Sequence, residues 1–383
     1  VAGEFDNGLV ECQIHAISPL KSARVMGHAK RCCRSFQWAV LWALAVVPGV
    51  NAQSEIAAGA ANVTVRGRIH IQHSRSSVEA VDDVFLRRAR IRLNLDMTET
   101  FDARIEADFA EGTSLTDAWA RLTLGSGLQL SVGQFKRPFS PFGSTGGSSS
   151  DLPMIERTGH IEGVSGCPGV DGLCSFSNLA QKLEFDGRDL GLRAEGSLGN
   201  RLSYEATLTN GEGANKADVN DARSASARLV FAVNKRIRIA AFAGSHDYQA
   251  PPSKGNQTER ANAFGTDINV GEFRNGFHLM AGIERGDNWL AGPEARFTAA
   301  EGLASRYFRL AGNGHFSGVE PMFRVSWTST EDAAGTARRA VLLTPGISLY
   351  VTGKNFVAVN LDWYDPDFAS SEWSLKAQVF VFY

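Results

Sequence analysis

From residue 62 onwards the chain alternates apolar and polar residues. In the first run Val63, Val65, Ile69 and Ile71 share one face with Gly67, while Thr64, Arg66, Arg68 and His70 share the other. Successive side chains of a strand point to opposite sides of its sheet, so this spacing predicts an amphipathic β-strand. The rhythm recurs. A second strand over 85–97 sets Ala89, Ile91, Leu93 and Leu95 against Arg88, Arg90, Arg92 and Asn94. A third sets Phe101, Ala103, Ile105, Ala107 and Phe109 against Asp102, Arg104, Glu106 and Asp108. A fourth sets Ala118, Ala120, Leu122 and Leu124 against Asp117, Trp119, Arg121 and Thr123, and a fifth over 127–137 carries Leu128, Leu130 and Val132 on its apolar side. Thr98-Glu99-Thr100 and Gly125-Ser126-Gly127 supply tight hairpin connections. One such strand decides nothing, since a soluble sheet with one wet face reads alike; the number of them does.

Further strands are predicted near 187–198, 201–210, 222–233, 235–248, 260–271, 273–286, 303–311, 319–329, 340–351, 354–364 and 372–383. That makes about 16 strands, a usual number for a porin-sized barrel. Short connections such as Gly199-Asn200 and Gly353-Lys354 alternate with longer ones at 211–221, 249–259 and 287–302. The pattern predicts one all-β domain over 62–383, a transmembrane antiparallel β-barrel with short turns at one rim and long loops at the other. A mean hydropathy of −0.15 fits, because alternation keeps the average low. No run after residue 52 approaches the roughly 20 apolar residues of a spanning helix. The 39 glycines against 12 prolines favour a β-rich chain with many tight turns. In the last strand Leu375, Ala377, Val379, Val381 and Tyr383 alternate with Ser374, Lys376, Gln378, Phe380 and Phe382. A terminal aromatic on such a strand resembles the signal that outer-membrane barrels present to the barrel-assembly machinery. Trp363, Tyr364, Trp373 and Tyr383 suit the aromatic girdles of a barrel.

The first 52 residues read differently. Lys30, Arg31 and Arg34 precede an uncharged run from Phe36 to Val47, which Pro48 and Gly49 break. Val50 and Ala52 then place small residues where a signal peptidase cuts, so residues 1–52 read as an upstream extension plus a cleaved secretory signal, with Met26 as an alternative start. Residues 53–61 form a flexible lead-in. Cys12, Cys32 and Cys33 precede the cut, which leaves Cys167 and Cys174. A solitary pair in an exported chain reads as one disulfide; the competing metal reading lacks a second pair and the usual spacing. Residues 1–52 carry a net +2, so the remainder carries −4 against −2 for the whole chain. That balance offers no lure for nucleic acid. Any preference among ions must come from local arrangement.

Residues 133–157, GQFKRPFSPFGSTGGSSSDLPMIER, resemble the phosphate-selective porin O and P family, in which a strand ending in GQFK-x-PF leads into a loop with a FIER-like segment. FLRRARIRLN at 85–94, DAWARLTL at 117–124 and the following LQLSVGQFK also look like that family, as does, more loosely, GVEP at 318–321. The resemblance implies a porin in the bacterial outer membrane, surrounded by lipid and lipopolysaccharide, assembled as a homotrimer and passing small hydrophilic or anionic solutes without a cofactor. It also implies that the long segment at about 138–186 folds inward and constricts the lumen. Pro138 and Pro141 end the fifth strand, and Asp151 is placed to cap one helical turn that opens with Pro153.

The candidate chemistry is an ionic lining. Arg66, Arg68, Arg88, Arg90, Arg92, Arg104 and Arg121 fall on polar strand faces, and Lys136 and Arg137 sit where the wall meets the inward segment. A ladder of fixed positive charge attracts anions. The competing reading pairs these arginines with Asp102, Glu106, Asp108 and Asp117 across strands. The family's strongest phosphate binders use a lysine cluster in the constriction. Here 138–181 has no lysine, and Arg157 stands among Asp151, Glu156, Glu162 and Asp171. The expectation is therefore a modest anion preference. A receptor or adhesin barrel is the alternative class. A barrel hydrolase would have to recruit His246, Asp247, His278 or His315, and no G-x-S-x-G or H-E-x-x-H motif accompanies them.

Overall fold

A computed structural model describes residues 62–77, 82–110, 112–141, 152, 154, 155, 176–249, 258–311, 314–332, 334–351 and 354–383. The expected signal segment and lead-in, Asp151, Glu156, Arg157, and the Cys167 and Cys174 pair lie outside the described residues.

The strands are β1 (Asn62–Ser76), β2 (Asp82–Asp96), β3 (Phe101–Asp108), β4 (Ser114–Thr123), β5 (Gln129–Lys136), β6 (Arg188–Leu198), β7 (Leu202–Thr209) and β8 (Ser224–Ala232). They continue as β9 (Ile237–Gln249), β10 (Thr258–Val270), β11 (Phe277–Asp287), β12 (Arg296–Arg306), β13 (Phe308–Arg309), β14 (Gly318–Glu331), β15 (Ala337–Tyr350), β16 (Phe356–Pro366) and β17 (Glu372–Phe382). A short helix, α1 (Phe176–Lys182), precedes β6. β12 and the two-residue β13 both pair with β14 and form one stave interrupted at Tyr307, so the wall has 16 staves. β1 pairs with β2 on one side and with β17 on the other, from Arg68↔Phe382 to Ser76↔Ser374. The sheet is therefore closed. A closed sheet satisfies its backbone groups internally and has no edge to expose to lipid.

Alternation sorts the two faces as the pattern predicts. Val65, Val132, Leu192 and Phe264 point outward and are each more than half exposed. His70, Gln72, Ser74, Ser374, Lys376 and Gln378 point inward and are buried. Two β-bulges interrupt the rhythm. The register between β1 and β2 shifts at His70/Ile71, leaving Arg87 extra on β2; that between β3 and β4 shifts at Glu106/Ala107, leaving Thr116 extra on β4. A bulge turns two consecutive side chains to the same side. Arg87 accordingly joins Arg88 on the inner face, and Thr116 joins Asp117.

Three expectations need correction. The strand placed at 303–311 is β12 at Arg296–Arg306, so the connection expected over 287–302 is shorter. Small residues on both faces of RFTAAEGLASR hide its alternation. Second, Leu152, Met154 and Ile155 are not helical. Met154 belongs to one buried cluster and Ile155 to another. Third, Tyr364 is buried on the inner face, while its neighbour Trp363 is outward and pairs with Trp373 across the β16–β17 ladder.

The inner wall has two characters. From β9 to β16 it carries Phe242, Met280, Phe297, Leu303, Met322 and Leu342, which form one buried cluster with Phe139, Leu152, Met154, Leu179, Leu183 and Phe185. The described residues of the β5–β6 connection thus lie against this wall. Phe139 stacks on Phe185 at 5.4 Å and meets Phe242 edge-on at 4.9 Å, and Trp289 Nε1 donates to the Leu183 carbonyl at 3.0 Å. The wall from β1 to β8 is polar and charged.

Candidate solute pathway

The arginines of β1 and β2 converge on two carboxylates of β3. Arg88 Nη1 and Arg90 Nε donate to Asp108 Oδ2 at 2.9 and 2.7 Å. Arg90 Nη1 and Arg92 Nε donate to the Glu106 carboxylate at 3.3 and 2.5 Å, and Arg68 Nη2 lies 3.7 Å from it. The cause is register: Arg90 stands opposite Asp108, Arg92 opposite Glu106, and Arg68 opposite Arg90. Four guanidinium groups thereby share two carboxylates, a cluster of net +2.

The same wall continues towards the turn rim. Arg66 faces Arg92 in register and is exposed. Arg104 Nε donates to Asn94 Oδ1 at 2.9 Å. Arg121 bridges Asp102 at 3.0 Å and Glu195 at 3.1 Å. Trp119 lies inward among three guanidinium groups, with Arg104, Arg121 and Arg193 at 4.8, 5.2 and 5.3 Å from its ring. Such contacts hold a planar cation over an aromatic face and fix its orientation. At the junction with the β5–β6 connection, Lys136 pairs with Asp186 at 3.1 Å. Arg137 is buried, donates to the Glu184 carbonyl, and lies 3.8 Å from the Glu184 carboxylate. Burial raises the Glu184 pKa above its ordinary value, against the pull of Arg137 and Lys216.

The structure thus brings Arg68, Arg88, Arg90 and Arg92 together, and it pairs them across strands as the competing reading anticipated. Removing one partner from such a buried pair leaves an uncompensated charge, at a cost of about 3–5 kcal/mol. The pairing therefore orients the arginines, and their surplus over the carboxylates remains. Sequence reading missed Arg87. Its signal was the slip in phase between outward Val84 and Leu86 and outward Ala89 and Ile91. It also missed the adjoining wall, where Asp362 on β16 binds Lys376 on β17 at 2.8 Å and lies 3.9 Å from Arg324. Arg324 sits 3.8 Å from Glu301.

The histidines considered for hydrolysis do not assemble. His246 and Asp247 stand at the loop-side end of β9, whereas His278 stands at the turn-side end of β11 against Phe273. Ser224 Oγ donates to Asp247, and His246 Nδ1 lies 3.3 Å from the same hydroxyl. In a nucleophilic triad the carboxylate orients the imidazole; here it accepts the hydroxyl's hydrogen bond itself. Among the described residues no group of His, Cys, Asp and Glu is arranged to hold a metal.

The profile of the phosphate-selective porin O and P family matches residues 63–272. No match was found among curated protein sequences. Among solved structures, the chain is similar to an anion-selective porin from Comamonas acidovorans, with TM-score 0.59 and 12% identity, covering 84% of this chain and 99% of that one. It is similar to OmpF of Salmonella typhi in complex with daunomycin, with TM-score 0.58, 12% identity and coverage of 84% and 97%. It is also similar to the trimer form of OmpT from Vibrio cholerae, with TM-score 0.55, 7% identity and coverage of 84% and 99%. The closed 16-stave antiparallel barrel, with charged groups along part of its inner face and an apolar outer face, has the architecture of a porin. The chain belongs to the phosphate-selective porin O and P family and is a porin of the bacterial outer membrane.

Proposed function

We propose that the lumen is a passive path for small hydrophilic solutes with a modest preference for anions, and not a catalytic site. The observation that carries this reading is the cluster in which Arg68, Arg88, Arg90 and Arg92 share Glu106 and Asp108. Fixed positive charge in a narrow low-dielectric passage raises the local concentration of anions. The paired carboxylates moderate that field, so strict phosphate specificity is not expected. The similarity to an anion-selective porin supports the same direction.

In this reading the β5–β6 connection narrows the path, anchored by Phe139, Leu183 and Phe185 on the inner wall. Three copies assemble into a trimer, a form in which Vibrio cholerae OmpT is found. The outer wall sits in lipid and lipopolysaccharide, and the strand ending in Tyr383 is the one the barrel-assembly machinery engages. Planar bilayers test the central claim. A potassium chloride gradient should give a reversal potential on the anion side, and phosphate should carry current without saturating at low concentration. A cation-side reversal potential would refute the preference.

A further inference from the structure

At the loop-side ends of β2–β4 lies a polar cavity of about 430 Å³ that the ladder of wall arginines does not account for. Arg88 and Arg90 form its wall side, beside Asp108 and Thr116. Its other sides come from the stretch running from the end of α1 to the start of β6, with Lys182, Glu184 and Arg188, and from the β7–β8 connection, with Asn215 and Lys216. The site is built from distant parts of the chain. Asn215 holds the β7–β8 connection in place: its backbone N–H donates to Gln134 Oε1 at 2.7 Å, and its side-chain amide donates to the Leu115 carbonyl at 2.9 Å. Asn215 also takes a positive φ of 61°, a conformation that Asn tolerates better than most residues.

Charge in the cavity is uneven. Arg88, Arg90, Lys182, Arg188 and Lys216 contribute five positive groups. Asp108 is occupied by Arg88 and Arg90, Arg188 is held by Asp117 at 2.7 Å, and Glu184 faces Arg137. Among the described lining residues five cations meet two carboxylates, a formal net +3 that Asp117 behind Arg188 and Glu106 behind Arg90 reduce. The two kinds of cation differ in kind as well as place. The wall presents guanidinium groups, which bind carboxylate or phosphate through paired donors; the loops present ammonium groups, which act as point charges on flexible stems. A single tetrahedral oxyanion would fill little of the space. The volume falls within the roughly 300–1,000 Å³ of cavities that hold organic ligands.

We infer that this cavity binds a small organic dianion, with one acidic group on the Arg88/Arg90 wall and the other on Lys182 and Lys216. The inference rests on the anion-conducting reading and adds a ligand class to it: the mouth of the lumen selects extended dianions over monoanions of similar chemistry. The carboxylates Asp108 and Glu184 set an upper limit to affinity, which suits a passage that must also release its solute.

Glutarate and acetate serve as probes on the purified full-length chain in detergent, with binding followed by calorimetry. Glutarate should bind at least about tenfold more tightly than acetate, a difference of about 1.4 kcal/mol. The double variant Lys182→Gln/Lys216→Gln should bring glutarate down to the affinity of acetate. Both lysines are exposed, so the barrel should fold in the variant, as heat-dependent gel mobility would verify. Equal binding of glutarate and acetate, or a glutarate advantage that survives the double variant, would overturn the inference. Chloride conductance measured in parallel separates the two readings. A chain that conducts chloride without favouring glutarate keeps the porin reading and loses this site; a chain that favours glutarate but conducts no chloride does the reverse.

Discussion

The ring of Tyr383 lies directly over Gly67 where the last strand closes on the first. The backbone of Gly67 donates to the Tyr383 carbonyl at 2.8 Å and accepts from the Tyr383 N–H at 3.1 Å. A Cβ built at Gly67 would fall 2.1 Å from Tyr383 Cζ. Glycine is thus the residue that lets the ring lie flat on the outer wall, across the seam. Gly67→Ala should displace the ring at small cost, because the atoms it meets are the far end of an exposed side chain. Tyr383→Ala should lose the same contact from the other side. Urea unfolding in lipid vesicles should show the double variant costing less than the two singles together. Strict additivity would mean that the ring and the glycine do not interact.

The arginine cluster makes a prediction with two readouts. Replacing Arg88, Arg90 and Arg92 by glutamine removes the guanidinium partners of Asp108 and most of those of Glu106. Stability should fall by several kcal/mol, on the order of 3–5 for the first broken pair. The reversal potential in a salt gradient should move towards cations. Adding Glu106→Gln and Asp108→Asn should restore most of the stability and leave little ion preference. If the triple variant keeps the parent's preference, the arginines are structural partners and no selectivity device.

Phe185 anchors the β5–β6 connection. It stacks on Phe139, lies 6.1 Å from Phe297, and is fully buried. Phe185→Ala should release about 3–5 kcal/mol of local packing. Most of that loss falls on the connection and not on the wall, whose ladder does not involve this residue. Single-channel conductance should rise, and proteolysis should cut within 138–186 while the barrel keeps its gel mobility. Unchanged conductance would show that this segment does not narrow the path.

Arg87 is the extra residue of a bulge, so its deletion should be tolerated. The β1–β2 ladder already pairs His70 with Arg88 and Ile71 with Leu86. Removing Arg87 should join these pairs into one regular run and keep Val84 and Leu86 outward. Circular dichroism and gel mobility should show a folded barrel. Failure to fold would mean that the bulge is needed to set the twist of the first two strands.

The family was legible from GQFKRPF and its neighbours because these segments combine a strand end, two prolines and a loop entry in a fixed order. The arginine wall was legible because guanidinium groups on the lipid side cost roughly 2–4 kcal/mol each near the midplane, which assigns their face without any structure. β12 was not placed correctly, because alanine and glycine on both faces erase the signal that alternation provides. Arg87 was missed for a related reason: strict alternation has no place for an extra residue.

The sequence by itself determined the class of fold, an approximate number of staves and the face that most strands turn to lipid, since these depend on local periodicity and on solvation energies that act residue by residue. Tertiary structure alone decided which charges meet. Glu106 takes Arg68, Arg90 and Arg92, and Asp108 takes Arg88 and Arg90, because the register of three neighbouring strands sets their distances. It also decided that the wall from β9 to β16 receives the β5–β6 connection, and that Lys182 and Lys216 come to one cavity. These contacts join residues far apart in the chain, and no local pattern encodes a distance between them.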